Sequence, residues 1–275
     1  NNLYELGNPW GRGIRKRAKW AEGLNVEEYE DQDVLLWVGC LGAYDDRNIK
    51  SARSLARVLE NVDTSWGTLG ADERCCGDSA LQSGELMVFE ELMDRNMKAI
   101  KRSKAGKIVT ISPHCYNTLR NEYPEISDLG VEVLHYTQYL DELSSDLKLG
   151  KFESTVTYQD PCYLGRLNDV YEAPRNLLER IPELELVEMK NSRDSGICCG
   201  GGGGRFWLET EPEERLSNTR LEEALAVGAD VLATACPFCL VNFEDSAKYL
   251  NVENEMKVLD ISEIVLKSLE NNGDD

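Results

Sequence analysis

The sequence predicts an α/β protein of two tandem duplicated domains, each a small parallel sheet flanked by helices, related by pseudo-two-fold symmetry. Three observations carry this. Apolar runs of four or five residues alternate with helical patterns of ten or more, as strands and crossover helices do in parallel sheets. The alternation occurs twice along the chain. Cysteines keep step with it: Cys40 and Cys162 lie 122 residues apart, and Cys75-Cys76 and Cys198-Cys199 lie 123 apart.

Residues 1–33 read as an N-terminal arm or linker. Asn8-Pro9-Trp10-Gly11 signals a turn, Arg12, Arg15, Lys16, Arg17 and Lys19 suit a solvated helix better than a lipid-binding patch, and an acidic stretch runs from Glu27 to Asp33. The chain opens Asn1-Asn2 without an initiator methionine, so a piece of a longer polypeptide is expected.

The first repeat covers residues 34–150. Val34 to Val38 is a strand ending at Gly39-Cys40, Ser51 to Leu59 is helical, and Cys75-Cys76-Gly77 follows. A long helix from Leu86 to Arg102 leads to a strand at Ile108 to Ile111, the loop Pro113-His114-Cys115 and a strand at Val131 to Leu134. The second repeat, 151–275, runs the same way. Its strand Thr155 to Tyr158 ends at Pro161-Cys162, its helix runs from Ala173 to Ile181, and Cys198-Cys199-Gly200 follows. Glu213 to Val227 is the long helix, Val231 to Thr234 the next strand, Cys236-Pro237-Phe238-Cys239 the loop and Met256 to Leu259 the last strand. Thr137 and Ser262 suit helix capping after the final strand of each repeat.

The net charge of -20, from 50 acidic and 30 basic residues, argues against nucleic acid as a partner. It fits a solvated surface, a salty cytoplasm, or attraction of a basic electron-transfer partner. With 41% hydrophobic residues and no apolar run of membrane-spanning length, the expectation is a soluble, cytoplasmic protein. Nine cysteines, an odd number without a secretory leader, favour metal or redox chemistry over a disulfide framework.

Cys198-Cys199 and the run Gly200 to Gly204 are the most unusual stretch. Adjacent cysteines close a disulfide only with strain, whereas two thiolates can face one metal centre. Glycines such as Gly200, Gly201 and Gly202 would let the backbone approach that centre and offer N–H groups to its sulfur. The plainer alternative is a flexible linker after two core cysteines. Cys162, Cys198, Cys199, Cys236 and Cys239 make five thiols, where a closed zinc site or an ordinary cubane uses four. A thiolate bridging two irons, or one displaced by substrate, would use the fifth. Soft donors without paired histidines favour iron–sulfur chemistry.

The first repeat keeps Cys40, Cys75, Cys76 and Cys115, but Ser112 stands where Cys236 stands in the second. Three readings stay open: an altered cluster, Ser112 or His114 as an unusual ligand, or a scaffold that has lost its metal. His114 is also a candidate proton donor at a site between the repeats, against the plainer role of a satisfied histidine, and His135 is the other histidine. Arg205 could hold an anion but suits solvent better, and Phe206 and Trp207 suit a core.

The spacing of cysteine, Cys-Cys-Gly and Cys-x-x-Cys resembles the CCG domain of the heterodisulfide reductase catalytic subunit, a family that includes iron–sulfur subunits of glycolate and lactate oxidases. Ser112-Pro113-His114-Cys115-Tyr116-Asn117-Thr118, His135-Tyr136-Thr137-Gln138, Asp160-Pro161-Cys162-Tyr163-Leu164-Gly165 and Ala233-Thr234-Ala235-Cys236-Pro237-Phe238-Cys239 narrow the likeness to the D-like members of the heterodisulfide reductase family, over about residues 8–270. The resemblance implies a non-cubane 4Fe–4S cluster on Cys162, Cys198, Cys199, Cys236 and Cys239, with Cys198 and Cys199 at the chemistry, and leaves open a second cluster in the first repeat. It implies an oxidoreductase passing electrons between an electron-transfer flavoprotein or ferredoxin-like domain and a membrane quinone or thiol/disulfide acceptor, at the inner face of a membrane through a further region or subunit. Reduction of a coenzyme M–coenzyme B heterodisulfide is the alternative, weakened by Ser112. A zinc or iron–sulfur scaffold that only docks partners is the rival from another class.

Overall fold

The computed structural model describes residues 2–123, 128 and 130–273. The chain divides into two compact units, Asn1–Tyr136 and Thr137–Asp275, so the boundary expected at 150/151 falls inside the second. The first unit has strands β1 (Glu27–Glu28), β2 (Val34–Trp37), β3 (Trp66–Thr68), β4 (Lys107–Thr110) and β5 (Glu132–His135). They form one sheet in the order β1-β3-β2-β4-β5, parallel throughout. The second has β6 (Ser154–Gln159), β7 (Leu184–Val187), β8 (Val231–Thr234) and β9 (Lys257–Asp260), parallel in the order β7-β6-β8-β9. Leaving β1 aside, the two orders agree strand for strand, which is the duplicated α/β fold expected.

Local sequence explains the elements. Val34, Leu35, Leu36 and Trp37 are all fully buried, an unbroken apolar run because both faces of a central parallel strand are covered. The helix Asp46–Asn61 starts where the Asp45 carboxylate accepts the Asn48 N–H at 2.9 Å. It buries Ala52, Leu55, Ala56 and Leu59, a stripe at helical spacing. In the second unit Leu221, Ala224, Leu232, Leu240 and Phe243 form a buried cluster that also takes in Cys199, Cys236 and Cys239.

Three local expectations are corrected. Ser262 does not cap the last helix: Asp260, still in strand geometry, accepts from the Ser262 N–H, and the Glu263 carboxylate returns to the Asp260 N–H in a capping box. Thr137 lies inside its helix, Tyr136–Glu142. The basic cluster is not uniformly solvated, since Arg17 is buried and Arg12 donates to the Tyr44 carbonyl at 2.8 Å. The segment before β2 packs as part of the first unit, burying Trp20 and adding β1 to β3.

The topology decides where a site falls. From β2 the chain crosses to β3 on one side and then to β4 on the other, so β2 and β4 flank a switch point, as do β6 and β8. Ligands of open parallel sheets bind beyond the carboxyl ends of the strands at that point. Cys40 follows β2, and Ser112 and Cys115 follow β4; Cys162 follows β6, and Cys236 and Cys239 follow β8. The vicinal pairs Cys75-Cys76 and Cys198-Cys199 come after β3 and β7.

Candidate metal centre

In the second unit the sulfurs of Cys162 and Cys198 lie 3.8 Å apart and those of Cys199 and Cys239 3.2 Å apart. Cys198 also touches Cys199, and Cys236 touches Cys239, so all five thiols join one series. Cys199, Cys236 and Cys239 are buried, whereas Cys162 and Cys198 are half-exposed. The series therefore runs from the core to the solvent.

Main-chain and side-chain groups fix this arrangement. The Gly200 N–H donates to the Cys198 sulfur at 3.3 Å, with Gly200 at φ +81°, the left-handed region that glycine enters freely. Gly201 and Gly202 instead give their carbonyls to the Phe206 and Arg205 N–H groups, closing the turn. Asn242, one turn beyond Cys239 on the helix Pro237–Leu250, donates to the Cys199 carbonyl at 3.0 Å. Gln159, at the end of β6, donates to the Ile197 carbonyl and accepts from Arg220. Arg175 grips Asp160 through two bonds, of 2.7 and 2.9 Å, and so anchors the strand end before Cys162.

The contacts polarise the thiols. Cys198 is held well below the ordinary thiol range, first by its contact with Cys162, then by Cys199 and the Gly200 N–H. Cys162 is raised by that same contact and by burial, and Cys199 is raised by its contact with Cys198. One thiolate thus forms among thiols that hydrogen-bond to it.

In the first unit Cys40, Cys75, Cys76 and Cys115 form a corresponding series of side-chain contacts, all buried. The contact with Cys115, followed by that with Cys75, lowers Cys76, to which the Asp78 N–H also donates. A Cβ on Gly39, at φ +72°, would lie 3.2 Å from the Cys115 sulfur, so the main chain passes close to the thiols here as well. The Cys75-Cys76 main chain is pinned by Asn96, which donates to the Cys75 carbonyl at 2.9 Å, and by Tyr123, which donates to the Cys76 carbonyl at 2.7 Å. His114 is buried with Nδ1 2.8 Å from the Asp78 carboxylate. His135 places Nε2 3.1 Å from the Ile111 carbonyl.

Phe206 and Trp207 do not enter the core as expected. The glycine turn carries them outward: Trp207 is 40% exposed and Phe206 meets Phe238 edge-on at 5.0 Å. Arg205 is exposed on the wall of a cavity of about 510 Å³ that reaches Cys199 and Gly200.

Among the described residues, no three Cys, His, Asp or Glu side chains converge on one point as a single metal ion requires. The donor set, five sulfurs in series with an N–H aimed at one of them, suits a polynuclear thiolate-bound group. N–H donors and burial are what tune such groups. Asn242, Gln159, Asn96 and Tyr123 were not singled out from the sequence, although Asn242 stands three residues after Cys239 and so on its helix face.

Two parallel α/β units, each gathering thiols at its switch point, define a duplicated cysteine-rich protein. The chain belongs to the CCG cysteine-rich domain family, which it matches at residues 34–120 and 156–244. It is 40% identical to a Bacillus subtilis protein named as a probable iron-sulfur-binding oxidoreductase, FadF, over 98% of this chain and 40% of that one. It is 35% identical to the EtfAB:quinone oxidoreductase of Syntrophomonas wolfei, over 98% of this chain and 40% of that one. With the D-type polypeptide of the dihydromethanophenazine:CoB–CoM heterodisulfide reductase of Methanosarcina barkeri it shares 32% identity, over 95% of this chain and 65% of that polypeptide. The chain thus spans 40% of the length of the first two relatives. A crystal structure of a hypothetical protein from Helicobacter pylori superposes with a TM-score of 0.52 at 13% identity, over 98% of this chain and 58% of that one, a likeness of fold alone. Among the described residues no helix is long and apolar enough to cross a membrane.

Proposed function

We propose that the chain is an electron-relaying module of an iron–sulfur oxidoreductase of the heterodisulfide reductase type, with its working centre in the complete second repeat. The observation that carries this is the contact series of Cys162, Cys198, Cys199, Cys239 and Cys236, with the Gly200 N–H on sulfur. These five residues would hold a non-cubane 4Fe–4S cluster, the fifth thiol having no place in an ordinary four-cysteine cubane. When bound, such a group takes up and gives out electrons.

The protein's own residues divide the remaining work. Cys199, Cys236 and Cys239 seat one side in the apolar core and exclude water. Cys162 and Cys198 form the half-exposed edge through which a redox partner would be reached. The Gly200 N–H offsets negative charge on sulfur, and Asn242 holds the Cys199 main chain through its carbonyl.

The donor would be an electron-transfer flavoprotein or a ferredoxin-like domain, and the acceptor a membrane quinone or a thiol/disulfide pair. The names of the Syntrophomonas wolfei and Methanosarcina barkeri relatives support these two kinds of acceptor. Work at the cytoplasmic face of a membrane, reached through a further region or subunit, follows from the same reading. Ser112 favours relay over heterodisulfide cleavage by two matched centres.

The test is anaerobic purification with measurement of iron, acid-labile sulfide and zinc. Brown protein containing iron and sulfide in equal amounts is expected. Cys198→Ser should remove the second-repeat paramagnetic signal while Cys75→Ser leaves it. Colourless protein with stoichiometric zinc overturns the proposal; equal loss in both variants overturns the placement in the second repeat.

A further inference from the structure

One position separates the two donor sets. In the second unit Cys236 is the N-cap of the helix Pro237–Leu250, in extended geometry, with its side chain off the helix end and touching Cys239. Ser112 holds the matching place before Pro113 in the first unit, at φ -106° and ψ 126°. Serine is among the residues that most often cap a helix with their own oxygen, yet Ser112 makes no capping bond. Its Oγ is buried and without a hydrogen-bond partner, the residue being 4% exposed.

A buried hydroxyl without a partner is unfavourable, and this one stands at the position that carries a thiol in the second unit, so a ligand there would satisfy it. Cys115 lies one helical turn away, and through Cys76 and Cys75 it continues the series to Cys40. His114, the other non-sulfur candidate at this corner, already gives Nδ1 to Asp78.

We propose that Ser112 Oγ is the fifth donor of a second iron–sulfur site in the first unit, one oxygen beside the sulfurs of Cys40, Cys75, Cys76 and Cys115. This rests on the reading of the thiol series as cluster ligands. On ligation the Ser112 O–H bond breaks, its proton leaves to solvent, the alkoxide oxygen bonds iron, and no electron moves. Oxygen is a harder donor than sulfur, so the first-unit site differs spectroscopically from the all-sulfur site, and the two units are not interchangeable.

The experiment compares the full chain with Ser112→Ala and Ser112→Cys, each purified anaerobically and analysed for iron, sulfide and zinc and by electron paramagnetic resonance. The wild type is expected to hold about eight irons, two clusters of four. Ser112→Ala is expected to lose about half of that iron and one of two signals, with the second-unit signal unchanged. Ser112→Cys, which restores the full motif, should keep the iron and change the first-unit signal alone.

Iron and spectra unaltered in Ser112→Ala overturn the proposal. So do about four irons in both wild type and Ser112→Ala, or zinc retained equally in both; these results leave the second-unit reading standing. Absence of iron from every variant overturns both.

Discussion

The Arg17 guanidinium lies 3.8 Å from the Cys40 sulfur, and both side chains are buried. It is ion-paired to Glu73, whose carboxylate also accepts the Gly39 N–H at 2.8 Å and the Val38 N–H at 3.2 Å. Burial alone would lower the Arg17 pKa, but Glu73 and Cys40 hold it above its ordinary value. A permanent positive charge therefore stands at one end of the first thiol series. Arg17→Met leaves Glu73 buried without its counter-ion, a loss of about 3–5 kcal/mol. Urea unfolding should show it, and the double variant Arg17→Met, Glu73→Gln should recover most of it.

Asn96 is fully buried and gives its two polar ends to three groups: it accepts the Arg74 N–H at 2.9 Å and donates to the Cys75 carbonyl and the Tyr123 hydroxyl. Asn96→Leu is close in volume but takes their partner from the Arg74 N–H and the Cys75 carbonyl. A loss of about 1–3 kcal/mol is expected in denaturant unfolding, and Tyr123→Phe, which frees the Cys76 carbonyl and one Asn96 N–H but keeps the Asn96 bonds to Arg74 and Cys75, should lose less.

In metal-free protein Cys198 is half-exposed and held as thiolate by Cys162, Cys199 and the Gly200 N–H. Its pKa is depressed, so the thiolate is already formed across neutral pH. An ordinary thiol gains about tenfold in thiolate per pH unit below its pKa of about 8.5. Alkylation followed by peptide mass analysis should therefore modify Cys198 at a rate nearly independent of pH from about 6 to 8. A tenfold rise per unit would contradict the contact geometry.

The sequence made the strand–helix alternation and the thiol register legible because both recur. Val34 to Trp37 and Val231 to Thr234 are central strands, apolar on both faces, and read directly. β3 and β7 did not: Trp66–Thr68 is three residues with a glycine, and Leu184–Val187 is a half-exposed edge with glutamate inside it. β1, two glutamates paired through the main chain to β3, carries no hydrophobic signal. The burial of Arg17 was illegible for another reason. It depends on Glu73, 56 residues away, and nothing local distinguishes Arg17 from its solvated neighbours Arg15 and Lys16.

The glycine run separates two reasons for glycine that the sequence alone merges. A Cβ on Gly201 would lie 2.8 Å from Asn242 Nδ2 and 3.4 Å from Phe238 Cβ, whereas Gly203, at φ +62°, has open space around it. Gly203→Ala therefore meets only the left-handed backbone penalty, about 1–2 kcal/mol, and should lower stability while leaving the paramagnetic signal intact. Gly201→Ala must displace Asn242, whose amide holds the Cys199 carbonyl, and so disturbs the thiol wall itself. Its expected signature is an altered signal and faster iron release to a chelator, with a stability loss of about 1–2 kcal/mol from the broken bond. Equal spectra in the two variants would mean that close approach at Gly201 does not shape the site.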